Sequence, residues 1–143
     1  MSMLISSFMF IGLLAVSTAH LLWGFGRTWP IRNEKLLAQT VVGTAGIERM
    51  PPRLASLAIG LLLLTAGILA LALADHDGGG PWLTISGFGL ALLFLARGIV
   101  GYTAWWATQT PEPNFRLNDR RVYSPLCLFL GAGFLALAIL RLI

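Results

Sequence analysis

Five side chains in this sequence combine types that could serve one polar site: His20, Trp23, Arg97, Asp119 and Tyr123. A guanidinium presents five N–H donors in a rigid plane and suits carboxylate or phosphate groups. An imidazole takes or gives a proton near neutral pH. A carboxylate can orient that imidazole or pair with the arginine, while a phenol and an indole each add a donor to an apolar ring. Other chemistries find less support. Asp75, His76 and Asp77 are consecutive, and three adjacent loop residues do not easily converge on one metal. Cys127 is the only cysteine, so an internal disulfide or two-thiol relay is excluded and a packing role is simplest. The apolar segments hold no paired carboxylates, and no nucleophile motif is recognisable. No metal and no cofactor are expected, and an enzyme is the less favoured class.

The elements that must position these residues are written in the composition. Of the 143 residues, 57% are hydrophobic and 11% charged, against about 25% charged in soluble domains. The apolar residues form four runs of bilayer-spanning length, about 20 residues each. The sequence therefore predicts one all-α domain over 1–143, an integral membrane bundle of four helices at about 3–25, 54–74, 82–106 and 125–143. Loops at 26–53 and 107–124 and a glycine-rich turn at 75–81 connect them. The first run has no Lys or Arg before its apolar core and continues past the small residues Ser17, Thr18 and Ala19, which suits a retained helix better than a cleaved signal.

Charge placement orients the bundle. Arg27, Arg32, Lys35, Arg49 and Arg53 lie in or beside the first long loop, and Arg116, Arg120 and Arg121 in the second, whereas the turn has no Lys or Arg. Cations concentrate in cytoplasmic loops, so both loops are expected in the cytoplasm and both termini outside, in a bacterial inner membrane. The net charge of +4 is explained by that topology and by anionic lipid, and nucleic acid is not an expected partner. His76 then lies across the membrane from His20, which excludes bis-histidine haem ligation within one chain.

Within this frame Arg97 is the residue that calls for explanation. An arginine at the centre of a spanning helix costs about 2.5 to 3.5 kcal/mol on insertion scales. It stands some ten residues before the inner end of the third run, or about 15 Å at helical rise. Either it snorkels to the cytoplasmic boundary or it faces inward and holds a partner or anionic ligand. No spanning run contains Asp or Glu, so Asp119 is the nearest acid if its loop folds back. His20 is expected level with Arg97. Trp23, Trp29, Trp105 and Trp106 form an interfacial belt at the same ends.

Local signals fill in the rest. Leu37 and Val41 share one side of a short surface helix over 34–47. Ser124 before Pro125 reads as an N-cap opening the fourth helix. Ala66, Ala70 and Ala74, Gly87 with Ala91, Gly98 with Gly101, and Ala132 with Ala136 are small-residue rows for helix contact. A duplicated hairpin fits the plan of the two halves, with His20 and Gly24 answering Arg97 and Gly101.

The stretches His20-Leu-Leu-Trp23-Gly24-Phe25-Gly26, Arg97-Gly98, and Phe115 with Asp119 and Tyr123-Ser124-Pro125-Leu126-Cys127-Leu128 together resemble a bacterial family of small four-helix membrane proteins catalogued as domain of unknown function 3995. The resemblance implies four helices and membrane residence and brings no established activity. Its motif residues map onto His20, Trp23, Arg97, Asp119 and Tyr123. The leading expectation is a pocket at the cytoplasmic side that binds a lipid-like or anionic amphiphile, or a partner membrane subunit. The others are a membrane-embedded enzyme on a lipid or isoprenoid substrate, with His20 as acid or base oriented by Asp119, and a structural accessory or immunity-type subunit or homo-oligomer.

Overall fold

The computed structural model describes residues 1–76 and 78–143. Asp77, the third of the metal candidates in the turn, lies outside the described residues. Four helical stretches are long and apolar enough to cross a bilayer, so the chain is an all-α, multi-pass membrane protein. α1 is Ser2–Gly24, α2 Glu34–Val41, α3 Arg53–Ala74, α4 Gly80–Val100, α5 Ala104–Gln109, α6 Pro113–Asn118 and α7 Ser124–Leu140. A π-helical turn, Asp119–Tyr123, joins α6 to α7, making one continuous span of 28 residues.

α1 packs chiefly along α3, and α4 along α7. The pairs meet through α1–α7, α3–α4 and α3–α7, while α1 and α4 face each other across the diagonal with little direct contact. That diagonal leaves space between the helices that carry His20 and Arg97.

Both pairs close by the same device. A Cβ on Gly24 would stand 2.4 Å from Leu57 Cγ, and one on Gly60 2.8 Å from Leu21 Cδ2. In the other pair a Cβ on Gly98 would stand 2.7 Å from Leu128 Cδ2, and one on Gly131 2.6 Å from Leu95 Cγ. Each helix thus contributes a Leu-x-x-Gly unit whose leucine covers its partner's glycine. Lipid supplies no hydrophobic drive between helices, so this close approach is what holds them. The repetition gives the two pairs one common register. Gly24 answers Gly98 and Gly60 answers Gly131, rather than His20 and Gly24 answering Arg97 and Gly101.

The core fills the middle of the bundle with Met9 and Leu13 of α1, Ala70 and Leu73 of α3, Phe94 of α4, and Phe134 and Leu137 of α7. Phe94 stacks on Phe134, with ring centroids 5.7 Å apart. Ala66, Ala70 and Ala74 are all buried, as their spacing implied. Ala132 is exposed, so Ala132 with Ala136 is not a contact row. The neighbouring glycines face inward instead, Gly131 onto Leu95 and Gly133 onto Met9.

Several boundaries differ from the sequence reading. α2 stops at Val41 because Gly43 takes a positive φ of 77°, which ends the helix in a conformation open to glycine. Its buried face is Leu37 with Ala38. α4 ends at Val100 rather than near 106. Ser124 is not an N-cap; its backbone is helical at φ −68°, ψ −45°, and the helix runs through it. At the turn end Arg141 is a clasp, donating to the carbonyls of Asp75 and Gly78 and to Thr84 Oγ1. At the basic end the exposed Lys35 and Glu48 pair at 2.9 Å. Their mutual hydrogen bond raises the lysine pKa and lowers that of the glutamate, and such an exposed pair adds little stability.

Candidate functional site

The early end of α4 makes the site. Gly101, Tyr102 and Thr103 turn the chain, and Thr103 Oγ1 accepts the Trp106 N–H at 3.2 Å as the N-cap of α5. Arg97 is therefore in the last turn of α4, not ten residues from the helix end. A cation there faces the negative end of the helix dipole, and the depth penalty inferred from the sequence falls accordingly. The reversal also brings Trp106 back over Arg97, whose Cζ lies 5.0 Å from the indole centroid, within cation–π range.

Asp119 answers Arg97. Its carboxylate, 0% exposed, accepts from Arg97 Nη2 at 2.8 Å, from the Ser124 hydroxyl at 3.1 Å and from Trp106 Nε1 at 2.9 Å. Three donors, one of them charged, offset the desolvation of the buried carboxylate. The π-turn explains why Asp119 and Ser124 meet. The Ser124 N–H bonds the Asp119 carbonyl five residues back, a wide turn that holds both side chains against α4. Room for them comes from Gly101, where a Cβ would stand 1.8 Å from Ser124 Oγ and 3.0 Å from Asp119 Oδ2.

His20 projects from the last turns of α1. Its Nδ1 lies 3.0 Å from the Val16 carbonyl; a carbonyl only accepts, so Nδ1 carries the proton and Nε2 is left free of that bond. The imidazole rests on Trp23, with centroids 4.7 Å apart, and Trp23 Nε1 donates to the Trp29 carbonyl at 2.6 Å.

These groups border a cavity of about 300 Å³ at the basic end of the bundle, the lower range of small-molecule sites. Its wall includes His20, Trp23, Ile59, Arg97, Trp106 and Phe115. Three of the five residues singled out by sequence, His20, Trp23 and Arg97, thus meet at one cavity. The other two do not line it. Asp119 lies behind Arg97, fully buried, and makes no bond to His20, so it does not orient the imidazole as the enzymatic reading required. Tyr123 packs on Phe115 at 5.8 Å and donates to the Thr40 carbonyl at 3.1 Å. It fastens the second loop to the first, helped by the Glu112 N–H on the Gly43 carbonyl at 3.2 Å.

Sequence reasoning passed over the roles of Trp106, Phe115 and Ser124. Trp105 and Trp106 read alike as belt residues, yet Trp105 is 62% exposed and only Trp106 turns inward. The signal that separates them is Thr103, whose cap sets the register of α5. Among the described residues, no group of three His, Cys, Asp or Glu stands close enough to hold a metal.

The sequence matches, over residues 13–134, the family described as "Protein of unknown function (DUF3995)". No curated protein and no solved structure matches it. The matched span takes in the Arg97–Asp119 pair, both Trp partners and the cavity wall; this chain belongs to the DUF3995 family.

Proposed function

We propose that this protein binds an amphiphile in the cavity at the basic end of its bundle, in a bacterial inner membrane with the loops cytoplasmic and the termini outside. The observation that carries the reading is a guanidinium held ready beside an apolar cavity. Asp119 and Trp106 fix Arg97 in place, Asp119 Oδ1 and, at 3.4 Å, Ser124 Oγ accept part of its donor set, and its side chain remains 31% exposed. Asp119 compensates the charge, so Arg97 acts on the ligand by directed hydrogen bonds more than by net charge. His20 Nε2 adds a second polar contact, and Trp23, Ile59 and Phe115 cover the apolar part. Apolar walls with a few placed polar groups are the usual form of a small-molecule site.

The test fills the cavity without touching the Arg97 network. Ala55 lines the cavity and is exposed, so Ala55→Trp should leave unfolding unchanged. Native mass spectrometry of the purified wild type should show a stoichiometric bound amphiphile, reduced at least about tenfold in the variant, the effect of about 1.4 kcal/mol. The same non-stoichiometric bulk lipid in both proteins would sink the reading. Orientation has its own check: a periplasm-active reporter fused after Ile143 should be active, and a silent fusion with normal expression would refute outward termini.

A further inference from the structure

A second cavity adjoins the first, and its chemistry differs. It measures about 290 Å³ and is bordered by Arg27, Thr28, Glu34 and Arg53. Trp23, Met50 and Pro51 line both cavities, so they form the partition between them. The inner cavity is walled partly by the spanning helices α1, α3 and α4, through His20, Ile59 and Arg97, whereas the outer one is walled by loop and helix-end residues at the basic end.

Among the described residues, neither Arg27 nor Arg53 makes an ion pair or a side-chain hydrogen bond; the two ion pairs there are Lys35–Glu48 and Arg97–Asp119. Arg53 is nevertheless placed, because its guanidinium lies over Gly26, where a Cβ would stand 2.7 Å from Nη2. Gly26, at φ 79°, both turns the chain and admits that approach. Glu34 lines the same cavity, with Oε1 accepting the Met50 N–H at 3.2 Å. The outer cavity therefore presents two uncommitted cations and one carboxylate held outside ion-pair distance of either.

We propose that the outer cavity is a headgroup site for a phosphoethanolamine-type amphiphile, with the phosphate on Arg27 and Arg53 and the ammonium on Glu34. Guanidinium donors match phosphate oxygens geometrically. A purely anionic head would bring its charge against Glu34, while a zwitterionic head satisfies all three groups. Because Trp23, Met50 and Pro51 line both cavities, a head held in the outer one stands beside the inner one, where the rest of the molecule is proposed to lie. The inference rests on the ligand-binding reading above and gives it a ligand class.

The experiment measures, by native mass spectrometry on the full chain in micelles, binding of three single-chain amphiphiles of equal length. These are lysophosphatidylethanolamine, lysophosphatidylglycerol and monoacylglycerol. The wild type should prefer the phosphoethanolamine form to monoacylglycerol by about tenfold or more, as expected for one or two charge-assisted contacts. Arg27→Gln with Arg53→Gln should bring it down to the monoacylglycerol level. Glu34→Gln, whose amide oxygen still accepts from Met50, should erase the preference for phosphoethanolamine over phosphoglycerol. Both changes are at exposed positions, and an unchanged unfolding midpoint confirms folding.

Wild-type affinity in the double arginine variant would overturn the headgroup site, as would unchanged selectivity in Glu34→Gln. Displacement of the bound amphiphile by inorganic phosphate at equal concentration would assign the arginines to free phosphate and overturn it too. Failure of the underlying reading looks different: monoacylglycerol would then bind wild type and Ala55→Trp alike, whatever the arginine variants do.

Discussion

Asp119→Ala should lower the unfolding free energy by about 2 to 3 kcal/mol, because it strands three donors at once. Breaking a buried ion pair costs about 3 to 5 kcal/mol; the lower figure reflects an arginine side chain that is still 31% exposed and can reach water. Trp106 Nε1 and the Ser124 hydroxyl lose the same acceptor. Asp119→Asn keeps an oxygen in place and should cost about half as much. The double variant Arg97→Leu with Asp119→Leu should recover about half of the loss, since removing both charges also removes both desolvation costs while Trp106 Nε1 and the Ser124 hydroxyl stay without that acceptor. Equilibrium unfolding in mixed micelles, followed by tryptophan fluorescence, measures all four proteins. A loss below about 0.5 kcal/mol in Asp119→Ala, typical of surface substitutions, would mean that the carboxylate is not the hub of a buried network. The partly recovered double variant also separates stability from binding, for it should fold and bind the amphiphile less well.

The second large effect concerns the α4–α7 contact. Gly131→Ile should destabilise by about 3 kcal/mol, the upper part of the overpacking range, because the obstacle is backbone. A Cβ at Gly131 would stand 2.8 Å from Leu95 N, and a main-chain atom in mid-helix has no rotamer to escape into. Gly89→Ala on the same pair is the control, since nothing lies within 4 Å of its Cβ position. It should be neutral or stabilising by up to about 1 kcal/mol through helix propensity alone. Equal unfolding midpoints for wild type and Gly131→Ile would contradict the close crossing. Gly60→Ile, facing Leu21 N at 3.2 Å, tests the matching contact in the other pair and should fall between the two.

The site was legible in its cast more than in its arrangement. Arg97 stood out because charge is rare in apolar runs, and Asp119 followed because no acid lies within those runs. Their pairing at 2.8 Å agrees with that reasoning. The place of the α4 terminus was missed. Apolar residues continue through Tyr102, Trp105 and Trp106, so hydropathy ran straight past a turn marked only by Gly101 and a capping Thr103. A pattern that senses transfer into lipid is blind to a reversal made of apolar residues. Ser124 misled for the opposite reason. Its cap chemistry is real, but the hydroxyl is spent on Asp119 while the π-turn carries the helix through.

What the sequence determined alone is the number of spanning helices, the approximate limits of the first two and the end of the bundle at which the basic loops gather. Those follow from run length and charge, which act residue by residue and need no knowledge of neighbours. Tertiary structure decided the rest. The pairing of α1 with α3 and of α4 with α7 depends on which glycines meet which leucines, and the same small residues at other rotations would have served equally well by composition. The inward face of Arg97, the concealment of Asp119 and the separation of Trp106 from Trp105 depend on distances between segments far apart in the chain. Sequence shows which groups need a partner, and only packing shows which partner stands close enough to be used.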